Sequence, residues 1–250
     1  RPYLKLGNVP VRFTGGRDGG EFSINVYPPE NWDAYAKYLR DVFAQLREAF
    51  GADEMRRWRY AVLTEADTFG WFKTKDGDAA RTREAYFRLY DLTALALERE
   101  IGPGATIGPH LLFPGDSPAG RFKAQDVIAH CAAGTNYATG KIGAPLKLLT
   151  ISHYVVPGDG TRRVGSFDAA YRQIVDAAEK AGFTNLVYGV DEGRVIFSAP
   201  GAKRRDLLSR AVGASYEAAY DVRVAKQTYD VGAEYFAHWG YFSGPAIHFE

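Results

Sequence analysis

Cysteine is almost absent from this chain, because Cys131 is the only one among 250 residues. An intrachain disulfide is therefore excluded, and nothing follows about the redox compartment. An excess of one charge is also lacking: 31 Lys and Arg residues against 30 Asp and Glu residues leave a formal net charge of +1. This balance gives no electrostatic reason to expect nucleic acid or a membrane surface as a partner. No apolar run reaches the roughly 18 residues that a membrane-spanning helix needs.

Motifs for metals and phosphates are missing as well. The five His residues are scattered, and no HExxH or similar ligand spacing occurs, so we expect no metal and no other cofactor. The glycine-rich segment 15–20 does not open a helix after a strand, and it lacks the Gly-Lys-Ser/Thr ending of a phosphate-binding loop. We interpret this segment as part of a mobile loop at the rim of the fold.

Strand-like and helix-like segments alternate along the chain, which predicts parallel strands joined by crossover helices. The predicted strands are 2–11, 59–63, 106–112, 146–154, 185–190 and 234–241, and the predicted helices are 32–49, 82–101, 124–139, 166–181 and 207–232. A closed (β/α)8 TIM barrel needs eight strands, and six are found. We therefore expect an α/β fold in which 1–250 form a single domain, the catalytic part of such a barrel, with two upstream strands missing. The chain opens at Arg1 inside a strand pattern, so any export signal is expected to be missing with them.

Two of the predicted strands end in acidic residues. The segment 58–72, WRYAVLTEADTFGWF, places Glu65 after an apolar run and before two aromatics, and the run 185–190 is followed by Asp191 and Glu192. The carboxyl ends of barrel strands share one rim, so acids far apart in sequence can meet there. A retaining glycosidase needs two carboxyl groups about 5 to 5.5 Å apart. The alternative is that each acid is only a polar residue that begins a loop.

Five segments occur in an order that resembles glycoside hydrolase family 39: RPYLKLGNVP, WRYAVLTEADTFGWF, REAYFRLYDLTALALERE, ATIGPH and PLKLLTISHYVV. That family includes β-xylosidases and α-L-iduronidases within a clan of (β/α)8 retaining hydrolases. The resemblance runs from barrel strand 3 to strand 8, almost the whole chain. It implies hydrolysis of an O-glycosidic bond in an oligo- or polysaccharide by double displacement, with Glu65 as acid/base and Glu192 as nucleophile.

The resemblance leaves alternatives for these roles. Asp191 is a rival nucleophile; since neighbours on a strand point to opposite faces, only one of the two acids is expected to face the barrel axis, and the match favours Glu192. An inactive, carbohydrate-binding barrel is the alternative to an enzyme. The sugar, the linkage and the oligomeric state stay open, and a secreted or periplasmic location is favoured by analogy alone.

The same resemblance implies several substrate contacts, and the strand-end positions of Asn8 and His110 add two more candidates. Trp239 would stack under the sugar, and Thr64 stands where the family has an Asn that reads the sugar 2-hydroxyl. For each residue the alternative is ordinary packing or loop structure, and Trp71 and Phe72 are expected to pack under the loop that carries Glu65. The expected substrate-binding residues are Asn8, Thr64, His110, His153, Tyr154, His238 and Trp239.

Overall fold

A computed structural model describes residues 2–112, 122–155, 167–195, 210 and 214–239. In this part of the chain six strands alternate with helices, and the strands are hydrogen-bonded in chain order. The pairs β1–β2, β2–β3 and β5–β6 are parallel. This arrangement confirms the predicted part of a (β/α)8 barrel. The elements are β1 Tyr3–Leu6, α1 Trp32–Phe50, α2 Ala52–Met55, β2 Arg59–Val62, α3 Ala79–Ile101, β3 Thr106–Leu111, α4 Ala124–Ala133, β4 Leu148–Val155, α5 Phe167–Lys180, β5 Val187–Val195, α6 Ser215–Asp230 and β6 Tyr235–His238.

The predicted elements are present, but several of their ends differ. The first strand, predicted over 2–11, stops at Leu6, and Val11–Phe13 form a 3-10 helix instead. Helix α3 begins at Ala79 rather than at 82. Helix α4 stops at Ala133 rather than at 139, because the side chain of Asn136 accepts hydrogen bonds from the backbone of Ala138 and Thr139 and forms a turn. Strand β5 continues to Val195, five residues beyond the predicted end. Residues 157–164, 207–209, 211–213 and 241, which belong to a predicted loop, helix and strand, lie outside the described residues.

The chain divides into two compact units: Arg1–Thr150 with Ile174–Val187, and Ile151–Gln173 with Tyr188–Glu250. Strand β4 and helix α5 each contribute residues to both units. The expectation of a single domain stays a prediction. Within the described ranges, none of the helices is both long and apolar enough to cross a bilayer.

The first unit packs α1 and α3 against β1 to β3. Helix α1 begins at Asn31, whose side chain accepts a hydrogen bond from the Ala34 N–H and so satisfies a free donor of the first turn. It ends at Gly51, where the backbone adopts φ 80°, a conformation that favours glycine. The buried stripe of α1 includes Phe43, which meets the ring of Tyr60 on β2 edge-on at 6.2 Å.

The second unit has its own small core. Val195 at the end of β5 packs with Tyr220 and Val224 of α6, and Phe236 of β6 packs against this group. The side chains of Val195 and Phe236 therefore face helix α6. The residues on the other face of these strands are available for a site.

Candidate active site

Glu65 lies in a tight turn just after β2, in the first unit. Leu63 and Glu65 both have left-handed backbone conformations, with φ 62° and φ 42°. Such conformations cost about 1–3 kcal/mol each for residues other than glycine and are concentrated at functional sites. The carbonyl of Glu65 accepts hydrogen bonds from the Thr68 N–H at 2.9 Å and the Thr68 hydroxyl at 3.1 Å. The turn leaves the Glu65 side chain only 7% exposed.

Asp67, two residues further on, ties this turn to the neighbouring strand. Its side chain is buried, and Oδ1 accepts a hydrogen bond from the Leu112 N–H at 2.8 Å. Leu112 follows directly after β3, so Asp67 joins the carboxyl ends of β2 and β3. Asp67 therefore orders the loop that follows Glu65.

Three expected substrate contacts of the first unit have different surroundings. Asn8 donates a hydrogen bond from its side-chain amide to the Trp71 carbonyl at 2.8 Å, so it supports the loop after Glu65. His110 on β3 is fully buried, and burial, followed by the charge of Lys5, holds its pKa well below the ordinary value. His110 is therefore a neutral imidazole. Thr64 is half-buried, and contact of all three with a sugar stays a prediction.

Glu192 lies in the second unit and inside β5, not after the strand as the sequence indicated. It is 7% exposed, and its Oε1 accepts a hydrogen bond from the Ser152 hydroxyl of β4 at 3.2 Å. Asp191 instead accepts a hydrogen bond from the Tyr235 hydroxyl of β6 at 2.7 Å. The two acids therefore turn to opposite neighbouring strands.

The sequence predicted that only one of these two acids faces the barrel axis, and this expectation stays a prediction. Between Val190 and Gly193 the register advances three residues on β5 against two on β6, from Phe236 to His238. One extra residue is therefore inserted in β5, and such a bulge interrupts the regular alternation of side chains. The contacts with Ser152 and Tyr235 decide the orientation of the two acids. Their roles as nucleophile and rival stay predictions.

Trp239 lies at the carboxyl end of β6. Its backbone N–H donates to the Gly193 carbonyl at 3.1 Å, and its ring meets Tyr154 edge-on at 6.5 Å. The guanidinium of Arg194 lies 5.9 Å from the centre of the same ring. Since 38% of Trp239 is exposed, one part of the indole is held and another is open to a ligand.

The two expected histidines of the second unit make contacts with helix α6. The carbonyl of His153 accepts a hydrogen bond from the Tyr220 hydroxyl at 2.9 Å. His238 has Nδ1 2.8 Å from Oδ1 of Asp221 and 3.8 Å from Oε1 of Glu217. Direct contact of either histidine with substrate stays a prediction.

The group formed by Glu217, Asp221 and His238 is the candidate for a metal in the second unit. Their potential ligand atoms lie within 4.8 Å of one another. The imidazole–carboxylate hydrogen bond already accounts for this arrangement, and the positive charge of Arg194 acts on Glu217. The expectation of no metal stays a prediction.

Several residues with a place in these contacts were not singled out from the sequence, among them Ser152, Arg194, Glu217 and Asp221. Ser152 and Arg194 could have been found, because each is two residues from an expected site residue on the same strand, Tyr154 and Glu192. Glu217 and Asp221 carry no such signal, since their role depends on how α6 packs.

The fold has solved relatives among glycosidases. A monomeric β-xylosidase from Caulobacter crescentus is similar over 96% of this chain and 45% of its own, with a TM-score of 0.65 and 19% identity. A bacterial orthologue of human α-L-iduronidase is similar over 96% and 43%, with a TM-score of 0.62 and 15% identity. These likenesses define the chain as part of a barrel of the kind found in glycoside hydrolases.

Curated relatives cover less of the chain. The β-xylosidase of Geobacillus stearothermophilus is 25% identical over 121 residues, which are 48% of this chain and 21% of the relative. The α-1,4-L-rhamnosidase of Formosa agariphila is 28% identical over 89 residues, or 36% and 17%. No family model matches. The chain thus aligns with about a fifth of the length of these relatives, and together with the fold the matches support its relationship to glycoside hydrolase family 39.

Proposed function

We propose that this chain belongs to a retaining glycoside hydrolase that cleaves an O-glycosidic bond of an oligo- or polysaccharide. The observation that carries the proposal is a buried carboxyl group at the carboxyl end of β2 and another near that of β5, in a fold shared with β-xylosidases. The carboxyl ends of barrel strands are where such enzymes hold their reacting groups. Each acid is positioned within its own unit, Glu65 by a strained turn and Glu192 by Ser152.

In the proposed mechanism Glu65 protonates the leaving oxygen while Glu192 attacks the anomeric carbon. Departure of the leaving group leaves a glycosyl ester on Glu192 and an ionised Glu65. Glu65 then removes a proton from water, which attacks the anomeric carbon, and the ester bond to Glu192 breaks.

The test uses the longest natural form of the protein that contains this chain, with a panel of nitrophenyl xylosides, arabinofuranosides, galactosides and uronides. The E192Q variant is expected to lose turnover on every substrate that the wild type cleaves. The E65Q variant is expected to lose about 10²–10⁴-fold on poor leaving groups and much less on dinitrophenyl glycosides, because an acidic leaving group needs no proton. D191N is the matched control, and it is expected to retain turnover.

Two results would reject this assignment. Full activity in E192Q would remove Glu192 from the mechanism, and inactivity of D191N with an active E192Q would exchange the two acids. Azide added to the two alanine variants would assign the roles independently. We expect Glu192→Ala to form a glycosyl azide of inverted configuration and Glu65→Ala to form one of retained configuration.

One observation favours the second candidate, a barrel that binds carbohydrate without cleaving it. In glycoside hydrolase family 39, which the sequence resembles, an Asn stands before the acid/base residue, and its amide donates a hydrogen bond to the sugar 2-hydroxyl. Such a hydrogen bond strengthens in the transition state, and Thr64 has no amide with which to make it. Binding of oligosaccharides by calorimetry, without turnover of any glycoside in the panel, would support this candidate.

A further inference from the structure

Two loops at the carboxyl ends of β1 and β2 are joined at several points. The backbone N–H of Lys73 donates to the Val26 carbonyl at 3.0 Å, and its Nζ lies 2.5 Å from Oδ2 of Asp18. Gly20 touches the other loop so closely that an added Cβ would lie 2.2 Å from the Gly70 carbonyl oxygen. The glycine-rich loop, which the sequence predicted to be mobile, is thus tied to the loop that carries Glu65.

An exposed aromatic pair lies at the junction of these loops. The rings of Phe22 and Trp71 are 6.1 Å apart and tilted by 50°, and Phe22 is 73% exposed. By contrast Phe72, the next residue of the same loop, is buried against Tyr86. The expectation that both aromatics pack under the loop is therefore met by Phe72, whereas Trp71 is only half-buried.

The backbone conformation of Phe22 is unfavourable in itself. Its backbone has φ 52° and ψ 27°, and Ser23 follows with φ 58°. A left-handed conformation costs a residue with a side chain roughly 1–2 kcal/mol. An exposed Phe ring also forgoes about 1.5–3 kcal/mol of burial free energy. An unfavourable backbone conformation that presents a large apolar side chain to solvent indicates a binding role.

The position of the pair relates it to Glu65. The Thr68 N–H donates to the Glu65 carbonyl at 2.9 Å, and the Trp71 N–H donates to the Thr68 carbonyl at 3.2 Å. Asn8, which follows β1, donates a hydrogen bond from its side-chain amide to the Trp71 carbonyl. Trp71 is thus held by a short chain of backbone hydrogen bonds that begins at the carbonyl of the proposed proton donor.

We propose that Phe22 and Trp71 form a subsite for an uncharged sugar unit of the leaving group, which binds through contacts between its apolar C–H face and the two rings. This inference rests on the proposed function and narrows its substrates to those with a carbohydrate leaving group. Two lysines of the loop that carries Glu65 are already paired, Lys73 with Asp18 and Lys75 with Glu30. Arg17 of the glycine-rich loop donates to the Ser23 carbonyl. They therefore give no reason for an anionic sugar.

The test compares kcat/KM for an oligosaccharide with kcat/KM for the glycosyl fluoride of the same sugar, which has no leaving-group sugar. In F22A and W71A the ratio of the two constants is expected to fall about tenfold, a change equivalent to about 1.4 kcal/mol. F22G adds a second readout: glycine accepts φ 52° without cost, so the melting temperature is expected to be kept or raised while the ratio falls. F50A is the control, because Phe50 is 53% exposed and pairs edge-on with Trp58 at 5.0 Å, before the amino end of β2.

The outcomes separate the subsite from the enzyme. A wild type that turns over neither substrate rejects the proposed function. A wild type that cleaves the fluoride, with a ratio unchanged in F22A, F22G and W71A, overturns the subsite alone. An equal fall for both substrates also overturns it, because it shows a structural role. A matching fall in F50A has the same meaning.

Discussion

His110 gives the folded protein a pH-dependent stability with a definite sign. It is fully buried on β3, and burial, followed by the nearby charge of Lys5, holds its pKa well below the ordinary value. In the unfolded chain a histidine titrates near about 6.5. Below that pH the unfolded state binds a proton that the folded state does not. The contribution of His110 is therefore fully present above about pH 6.5 and is lost as the pH falls below it.

The magnitude follows from one proton. The free energy of unfolding changes by up to about 1.4 kcal/mol per pH unit for each proton bound only by the unfolded state. Between pH 6.5 and 5.0 the contribution of His110 thus falls by up to about 2 kcal/mol. The variant H110Q keeps a polar side chain but does not titrate.

Urea unfolding of the wild type and H110Q at pH 7.5, 6.5 and 5.0 measures this difference. The carboxyl groups that titrate in the same range are common to both proteins, so their effects cancel in the comparison. We expect the unfolding free energy of the wild type to approach that of H110Q as the pH falls, or to drop below it. A difference that stays constant from pH 7.5 to 5.0 would show that His110 is protonated equally in both states, and would refute the reasoning.

Three further predictions concern the fold. The fully buried carboxylate of Asp91 lies 3.1 Å from Nε2 of His130, so D91A is expected to lower the unfolding free energy by about 3–5 kcal/mol; a loss below 1 kcal/mol in urea unfolding would contradict this. Burial raises the pKa of Glu217, so its ionised form opposes folding. The unfolding free energy of the wild type should therefore rise relative to that of E217Q as the pH falls from 7 towards about 4.5. A difference between the two proteins that does not change with pH would contradict this prediction. An added Cβ at Gly108 would lie 1.6 Å from a backbone oxygen of β4, whereas one at Gly19 would have nothing within 4 Å. Thermal unfolding should therefore show that G108A loses more than about 3 kcal/mol of unfolding free energy, while G19A changes it by at most about 1 kcal/mol.

Regular parts of the fold could be predicted because their signals are local. The buried stripe of α1 recurs at helical spacing, and the helix is flanked by an Asn at its start and a Gly at its end, which suit those capping positions. The end of β2 beside Glu65 was likewise visible as an apolar run followed by an acid. Each of these features depends on residues within about one helix or strand of one another.

The features that were missed depend on distant partners. The bulge in β5 exists only relative to β6, since it is a difference in register between the two strands. The contact of Asp91 with His130 joins two helices across 39 positions, and both residues stand in sequences that show only a helical pattern. Asn8 was expected to contact sugar because it lies near the end of the predicted strand 2–11. The hydrogen bond from its amide to a carbonyl 63 positions away was not predicted. Local periodicity contains no information about such pairs.

The difference at Thr64 concerns its side chain rather than its backbone. Left-handed conformations occur on both sides of it, at Leu63 and Glu65, while Thr64 itself has none. A β-branched residue resists that conformation far more than Asn does, so the turn tolerates Thr at this position because the strain falls on its neighbours. A hydroxyl offers one donor on a short arm, whereas an amide offers two donors on a longer one. In the proposed enzyme the shorter side chain of Thr64 would contact the sugar beside Glu65 less directly than an Asn would. A larger part of substrate recognition would then depend on groups that bind the leaving group.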